Sequence, residues 1–134
     1  MIDRFEIIGK VAGTQCDLIS DYAHHPTEIK TTIQTAHSLY RQFLIIFQPH
    51  TYTRTIALFN DFVYALEGCH CALYKTYAAR EKPINGGTAH DLASVIGCKY
   101  LHTPQALKKF IAEQAIKYDA IILTGAGDMV YIYK

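Results

Sequence analysis

Residues 21–28, DYAHHPTE, place a carboxylate, a phenol and two imidazoles directly after an apolar run. Asp21 can bind the hydroxyls of a ribose, as acids at strand ends do in many nucleotide sites. An Asx turn leading into the next helix is an equally ordinary use of this residue. Pro26 biases His25 toward an extended backbone, so His24 and His25 are expected to point in different directions. This pattern is more typical of a structural hydrogen-bonding pair than of a metal site, and it leaves one imidazole free to face a cleft.

A second polar segment, QPHTYTR at 48–54, follows the apolar run FLIIF. Its Arg54 lies at the start of a predicted helix, where the helix dipole slightly disfavours a cation. The planar guanidinium suits a carboxylate or a phosphate, and His50 with Tyr52 would complete an anion pocket there. A solvated surface arginine is the alternative.

Several catalytic motifs are absent from the sequence. No segment matches the phosphate-binding loop GxxxxGK[ST], so the chain is not expected to bind ATP phosphates by itself. TGAGD at 124–128 lacks the third glycine of the dinucleotide fingerprint, and no GxSxG elbow occurs. The four cysteines include no CxxC pair and are predicted to be free thiols. A metal clip of Cys69, His70 and Cys71 is disfavoured, because successive side chains of a strand face opposite sides.

The pattern of apolar residues predicts an α/β fold. Residues 5–11 and 15–20 alternate as a β-hairpin, and the chain then alternates helices with short apolar strands. Predicted helices cover 26–41, a stretch from about 56 to 66, 88–96 and 104–117; predicted strands cover 43–47, 69–74, 98–102 and 119–124. The whole is one domain over residues 1–134, an open, mainly parallel, Rossmann-like sheet with helices on both faces and an antiparallel hairpin at the N-terminus.

Composition limits the classes of partner. The 134 residues are 50% hydrophobic and 19% charged, which is typical of one packed domain. A net charge of +1 and the lack of a basic run exclude a nucleic-acid or membrane footprint. Because no stretch is long and apolar enough to span a bilayer and no leader is seen, the chain is expected to be cytoplasmic.

Four polar segments each follow a predicted strand, at 21–26, 48–54, 75–81 and 125–128. In open α/β sheets, ligands bind beyond the carboxyl ends of the strands. These segments are therefore predicted to meet along one edge of the sheet and to form a binding cleft.

Together, DYAHHPTE, FQPHTYTRT, YAAREKPI and LTGAGD, in this order, resemble the C-terminal domain of the Mur ligases, in the branch that joins L-alanine to UDP-N-acetylmuramate. The resemblance covers nearly the whole chain. It implies an ATP- and Mg²⁺-dependent reaction in which the muramoyl carboxylate becomes an acyl phosphate that the amine of alanine attacks. It also implies that the N-terminal sugar-nucleotide domain and the central ATPase domain, the partners of this domain, are not in this chain, so that the isolated domain is inactive.

The resemblance also implies roles for individual residues. Asp21 and Tyr22 would contact the nucleotide, while His24, His50 and Arg54 would bind substrate, with His24 and Arg54 closest to the chemistry. Asp128 would shape the rim.

One position departs from the pattern of many relatives, which carry Arg where this chain has Thr51. This difference puts in question how Arg54 and other groups share the binding of the substrate carboxylate. The related ligase that recycles a murein peptide and a non-catalytic nucleotide-binding module remain alternatives.

Overall fold

The computed structural model describes residues 4–133 and contains a six-stranded sheet. The strands are β1 (Glu6–Lys10), β2 (Asp17–Asp21), β3 (Phe43–Phe47), β4 (Cys71–Tyr74), β5 (Lys99–Leu101) and β6 (Ala120–Thr124). Their order across the sheet is β1-β2-β6-β3-β4-β5. Only β1 is antiparallel to its neighbour, so the predicted open, mainly parallel sheet with an N-terminal hairpin is confirmed.

Within the described residues, five α-helices surround the sheet: α1 (Pro26–Leu39), α2 (Tyr52–Ala57), α3 (Phe59–Leu66), α4 (Ala89–Ile96) and α5 (Pro104–Gln114). Short 3₁₀ turns cover Ala115–Lys117 and Met129–Ile132. None of the helices in residues 4–133 has the length and apolar character needed to cross a membrane.

The sheet separates two hydrophobic cores. On one face α1, α3 and α4 cover Ile19, Ile45 and Ile122. On the other face α5 and the last 3₁₀ turn cover Leu44 and Leu123. Every residue of β3 and β6 is buried, which explains why these central strands are apolar on both alternations.

Element types match the sequence prediction, while several boundaries differ. The second predicted helix is divided into α2 and α3 at Leu58, and the end of the last one, from Ala115, is a 3₁₀ turn. The strand predicted at 69–74 begins only at Cys71, because residues 67–69 form a turn after α3. Asp21 is the last residue of β2, one position beyond the predicted strand end.

Candidate functional site

The carboxyl ends of β2, β6 and β3 lie side by side. Asp21 pairs with Thr124, and Thr124 pairs with Phe47, so the last residues of three parallel strands are in register. Hydrogen bonds join the segments that follow: Gly125 N–H donates to Asp21 O at 3.0 Å, and Gln48 N–H donates to Thr124 O at 3.0 Å. The polar segments predicted to share one edge of the sheet therefore do so.

A row of rings lines this edge. Tyr22 meets His24 edge to face with centroids 5.3 Å apart, and the His24 centroid lies 6.3 Å from that of His50. On its other side His50 stacks on Tyr77 at 5.4 Å. The Pro49 and Thr51 backbones bond to Tyr77 at 2.9 and 2.8 Å, which holds the loops after β3 and β4 together. Neighbouring rings from three separate loops thus lie 5.3–6.3 Å apart, centroid to centroid.

His50 carries a polar atom that the described chain does not satisfy. Its Nδ1 is buried and has no hydrogen-bond partner in residues 4–133. Burial lowers the pKa of His50, and the positive charge of Arg54 lowers it further. A neutral imidazole with an unpaired buried nitrogen can bind a ligand group, since such a nitrogen otherwise costs free energy.

Arg54 lies in the first turn of α2. In residues 4–133 its guanidinium makes no hydrogen bond or ion pair, although its charge acts on His50. Arg54, His24 and His50 are therefore brought together, and the guanidinium keeps its donors for a ligand.

The backbone N–H groups at the start of α2 do not form an open anion pocket, because they already donate to the carboxylate of Glu81. Its carboxylate accepts hydrogen bonds from the Tyr52 N–H at 2.8 Å, the Thr53 N–H at 3.1 Å and the Thr53 hydroxyl at 2.6 Å. The hydroxyl bond is the largest influence that lowers the pKa of Glu81. The predicted role of Tyr52 in an anion pocket is therefore not seen, because a carboxylate of the chain itself fills that place.

Asp21 is buried and its carboxylate is already bound. Oδ1 accepts hydrogen bonds from Arg4 Nε at 2.6 Å and from the Ala23 N–H at 2.9 Å, and Oδ2 accepts one from the Thr32 hydroxyl at 2.8 Å. The bond to Ala23 has the form of an Asx turn, the structural use weighed above. The Arg4 side chain remains 38% exposed, so this partner is the one that a ligand can displace.

Glu28 orients the segment that carries His24. Its Oε1 accepts the backbone N–H of His24 at 3.2 Å and that of His25 at 3.1 Å, at the start of α1. Burial alone would raise the pKa of Glu28, but these two bonds, together with the nearby charge of Arg4, lower the pKa overall. The His24 Nδ1 lies 3.0 Å from the Tyr22 carbonyl, which fixes the ring near the edge of the sheet.

Gln48 joins three loops beneath the site. It is 1% exposed, and its amide donates to Asp128 Oδ1 at 2.9 Å and to Lys75 O at 3.1 Å. Its Oε1 accepts the Met129 N–H at 2.9 Å. Asp128 is thereby held at the rim, and the segment after β6 is fixed against the segment after β3.

The profile of the family described as "Mur ligase, glutamate ligase domain" matches residues 3–127. The chain belongs to the Mur ligase family.

Individual Mur ligases extend this comparison. The UDP-N-acetylmuramate–L-alanine ligase of Clostridium perfringens is 39% identical over 129 residues, which are 90% of this chain and 28% of that protein. The crystal structure of the UDP-N-acetylmuramate-alanine ligase of Thermotoga maritima superposes with a TM-score of 0.68 at 26% identity, over 97% of this chain and 28% of that one. The chain thus spans less than a third of the length of these relatives.

A more distant structure shows the fold alone. The bifunctional folylpolyglutamate synthase/dihydrofolate synthase of Yersinia pestis, complexed with AMPPNP and a manganese ion, superposes with a TM-score of 0.69 at 15% identity. The match covers 99% of this chain and 30% of that one.

Sequence reasoning missed three side chains that shape this candidate site: Tyr77, Glu81 and Gln48. All three lie in the polar segments that follow strands, so their position was a usable signal. Their contacts were not readable, because each depends on a partner at least 27 residues away, such as Thr53 for Glu81 or Lys75 for Gln48. No group of three or more His, Cys, Asp or Glu side chains between residues 4 and 133 is arranged to hold a metal ion.

Proposed function

We propose that this chain is the C-terminal domain of an ATP-dependent ligase that joins L-alanine to UDP-N-acetylmuramate in the synthesis of peptidoglycan precursors. The observation that carries the proposal is the convergence of His24, His50 and Arg54 at one edge of the sheet, with the buried His50 Nδ1 lacking a partner in residues 4–133. The 39% identity to an alanine-adding relative supports this choice of amine.

The residues present fit a small amino acid with a free carboxylate. The Arg54 guanidinium, which has no protein acceptor in the described chain, binds the carboxylate of alanine. Burial and the nearby charge of Arg54 lower the pKa of His50, which favours its neutral form, and its Nδ1 bonds to the same ligand. His24 and Tyr22 border the space in which the amine approaches the activated carboxyl group.

ATP with Mg²⁺ supplies the phosphoryl group that activates the muramoyl carboxylate as an acyl phosphate. The orphaned His50 Nδ1 and the exposed Arg4 beside Asp21 are consistent with a nucleotide and a substrate at this edge. Contact between Asp21 and the ribose requires Arg4 to release Oδ1, while the Thr32 hydroxyl keeps Oδ2.

The contribution of this domain is to position the amine against the acyl phosphate and to exclude water from the site. Since the chain has no phosphate-binding loop, we infer that the N-terminal and central domains of a longer ligase bind the sugar nucleotide and the ATP phosphates. Closure of this domain over them orients the amine, an effect worth roughly 7–11 kcal/mol in ideal cases. It also protects the acyl phosphate from hydrolysis. By itself the chain is expected to have no ligase activity.

A chimaera tests the proposal. Residues 4–133 replace the matching segment of the Clostridium perfringens ligase, and amide formation is measured with UDP-N-acetylmuramate, ATP and either L-alanine or a murein tripeptide. Because both types of ligase use the same sugar nucleotide, the choice of amine reports on this chain. Preference for L-alanine supports the proposal. Preference for the peptide points to the recycling ligase, and a folded chimaera without activity toward either amine contradicts both.

A measurement of ATP binding by the isolated chain tests a third possibility, that it is a free-standing nucleotide-binding module. Calorimetry is expected to show no binding to the 134-residue chain. Tight binding would instead indicate a free-standing nucleotide-binding module.

A further inference from the structure

Three cysteines meet at the edge of the sheet opposite the candidate site. Cys69 lies in the turn after α3, Cys71 is the first residue of β4, and Cys98 directly precedes β5. In the parallel ladder Ala72 pairs with Lys99, so Cys71 and Cys98 stand immediately before that pair on adjacent strands. The cluster therefore lies at the amino ends of the strands.

The thiols are close to one another. The Cys69 and Cys71 sulfurs both lie within hydrogen-bonding distance of the carbonyl oxygen of Leu66, at 3.4 and 3.7 Å. Hydrogen bonding among the thiols, from Cys98 to Cys71 and from Cys71 to Cys69, is the largest cause of the raised pKa of Cys98 and Cys71 and of the lowered pKa of Cys69. The turn at residues 67–69 produces this arrangement, because it bends Cys69 toward Cys71 where a continuous strand was predicted.

The cluster is accessible from outside. All three cysteines line an open cavity of about 370 Å³, and each is partly exposed. Cys16, by contrast, is 1% exposed and packs in the other core. A small oxidant in solution can therefore reach Cys69 and Cys71 but not Cys16.

We propose that Cys69 and Cys71 form a dithiol that hydrogen peroxide oxidises to a disulfide. This modification site is separate from the candidate functional site at the carboxyl ends of the strands. The Cys69 thiolate attacks one oxygen of the peroxide, the O–O bond breaks, and Cys69 becomes a sulfenic acid as hydroxide leaves and takes up a proton to form water. The Cys71 sulfur then attacks the Cys69 sulfur, a second water leaves, and the S–S bond forms. Two thiols and one peroxide thus give one disulfide and two waters.

The order of these steps follows from the hydrogen bonds. The bond from Cys71 lowers the pKa of Cys69, which favours its thiolate as the attacking group. The same bond raises the pKa of Cys71 to about 12, so this thiol keeps its proton until the sulfenic acid is present. Burial raises the pKa of Cys16 to about 11, which makes that residue a matched, unreactive thiol in the same molecule.

Mass spectrometry tests the site. The reduced 134-residue chain is treated with a small excess of hydrogen peroxide and then with iodoacetamide, and the peptides are sequenced. We expect a peptide carrying Cys69 and Cys71 that has lost two hydrogens and resists alkylation, formed at least about tenfold faster than any oxidation of Cys16. Oxidation of Cys69 no faster than Cys16, or a disulfide from Cys71 to Cys98 instead, would overturn the proposal.

Two variants test the roles of the individual cysteines without relying on detection of the disulfide alone. Cys71→Ser removes the resolving thiol, so Cys69 is expected to remain a sulfenic acid that dimedone labels. Cys98→Ser keeps both reacting sulfurs and should form the same disulfide as the wild-type chain. Absence of dimedone labelling in the first variant, or loss of the disulfide in the second, contradicts the assigned roles.

Discussion

Glu81 and Thr53 are 28 positions apart, yet the Glu81 carboxylate accepts hydrogen bonds from the Thr53 hydroxyl at 2.6 Å and from its N–H at 3.1 Å. This contact holds the loop after β4 against the start of α2. It is made where the backbone is strained: Thr51, Ala79 and Arg80 all have positive φ, at 65°, 50° and 76°. Such conformations persist only when surrounding contacts enforce them, and Glu81 supplies some of those contacts.

Glu81→Ala is expected to loosen the start of α2. Without the carboxylate, the N–H groups of Tyr52 and Thr53 lose their charged acceptor, so their amide exchange should accelerate by roughly an order of magnitude. Glu81→Gln keeps an acceptor without the charge and should give an intermediate rate. Glu113→Gln, on the exposed face of α5, is the matched control. Unchanged exchange in Glu81→Ala would show that this contact does not order the helix.

Thr32→Val is expected to destabilise the fold by about 1–3 kcal/mol, because the buried Asp21 Oδ2 loses its only hydroxyl donor among residues 4–133. Valine has nearly the shape of threonine, so the loss of packing is small. Thr31→Val removes an exposed hydroxyl from the next position of the same helix and should change stability by less than about 0.5 kcal/mol. Urea denaturation of both variants measures the difference, and equal stabilities would contradict the role of Thr32.

The architecture was readable from the sequence because its signals are local. The runs 43–47 and 120–123 are apolar on both alternations, and the structure buries every residue in them. The rule that ligands bind at strand ends then predicted that His24 and His50 meet, although 26 positions separate them along the chain. The position of β6 between β2 and β3 carried no such local signal.

The parts of the site that escaped prediction depend on tertiary contacts. Arg4 reaches Asp21 across 17 positions and forms a partly exposed ion pair with the carboxylate that was predicted to bind a ribose. Glu81 fills the start of α2 because Ala79 and Arg80 adopt left-handed conformations that their residue types do not suggest. Helical periodicity likewise could not locate the break at Leu58, because the apolar positions continue through it.

Gly127→Ala is expected to cost about 1–3 kcal/mol, since a Cβ there would lie 2.5 Å from Gln48 Oε1 and 2.6 Å from the Tyr77 Cβ. Gln48 would have to move, and its bonds to Asp128 and Met129 with it. Gly68→Ala places a Cβ in open space and should be neutral or slightly stabilising. Thermal unfolding of the two variants separates these cases, and equal midpoints would show that the close approach at Gly127 is easily relieved.

The pH dependence of His50 follows from its lowered pKa. As the pH falls, the His50 ring takes up a proton at a higher pH in the unfolded chain than in the folded chain. The contribution of His50 to stability is therefore complete above about pH 6.5 and is lost as the pH falls from there to the folded pKa. An NMR titration of the His50 ring should therefore give a lower midpoint in the folded chain than in urea. Arg54→Met removes a positive charge and should raise the folded midpoint, whereas Arg41→Met, at the opposite edge of the sheet, should leave it unchanged. Identical midpoints in the folded and urea-unfolded chains would rule out the burial argument.

Arg54→Ala tests the proposed carboxylate contact in the chimaeric ligase described above. Removing one preorganised charged donor should lower the turnover with L-alanine by roughly 10²-fold. Arg54→Lys keeps the charge but loses the planar pair of donors, so it should restore only part of the rate.

Arg41→Ala removes an exposed arginine between α1 and β3 and should leave turnover unchanged. Since Arg54 binds no acceptor in the described chain, little stability should be lost with it, and circular dichroism can verify that the variant is folded. Near-normal turnover in a folded Arg54→Ala chimaera would remove this residue from the site.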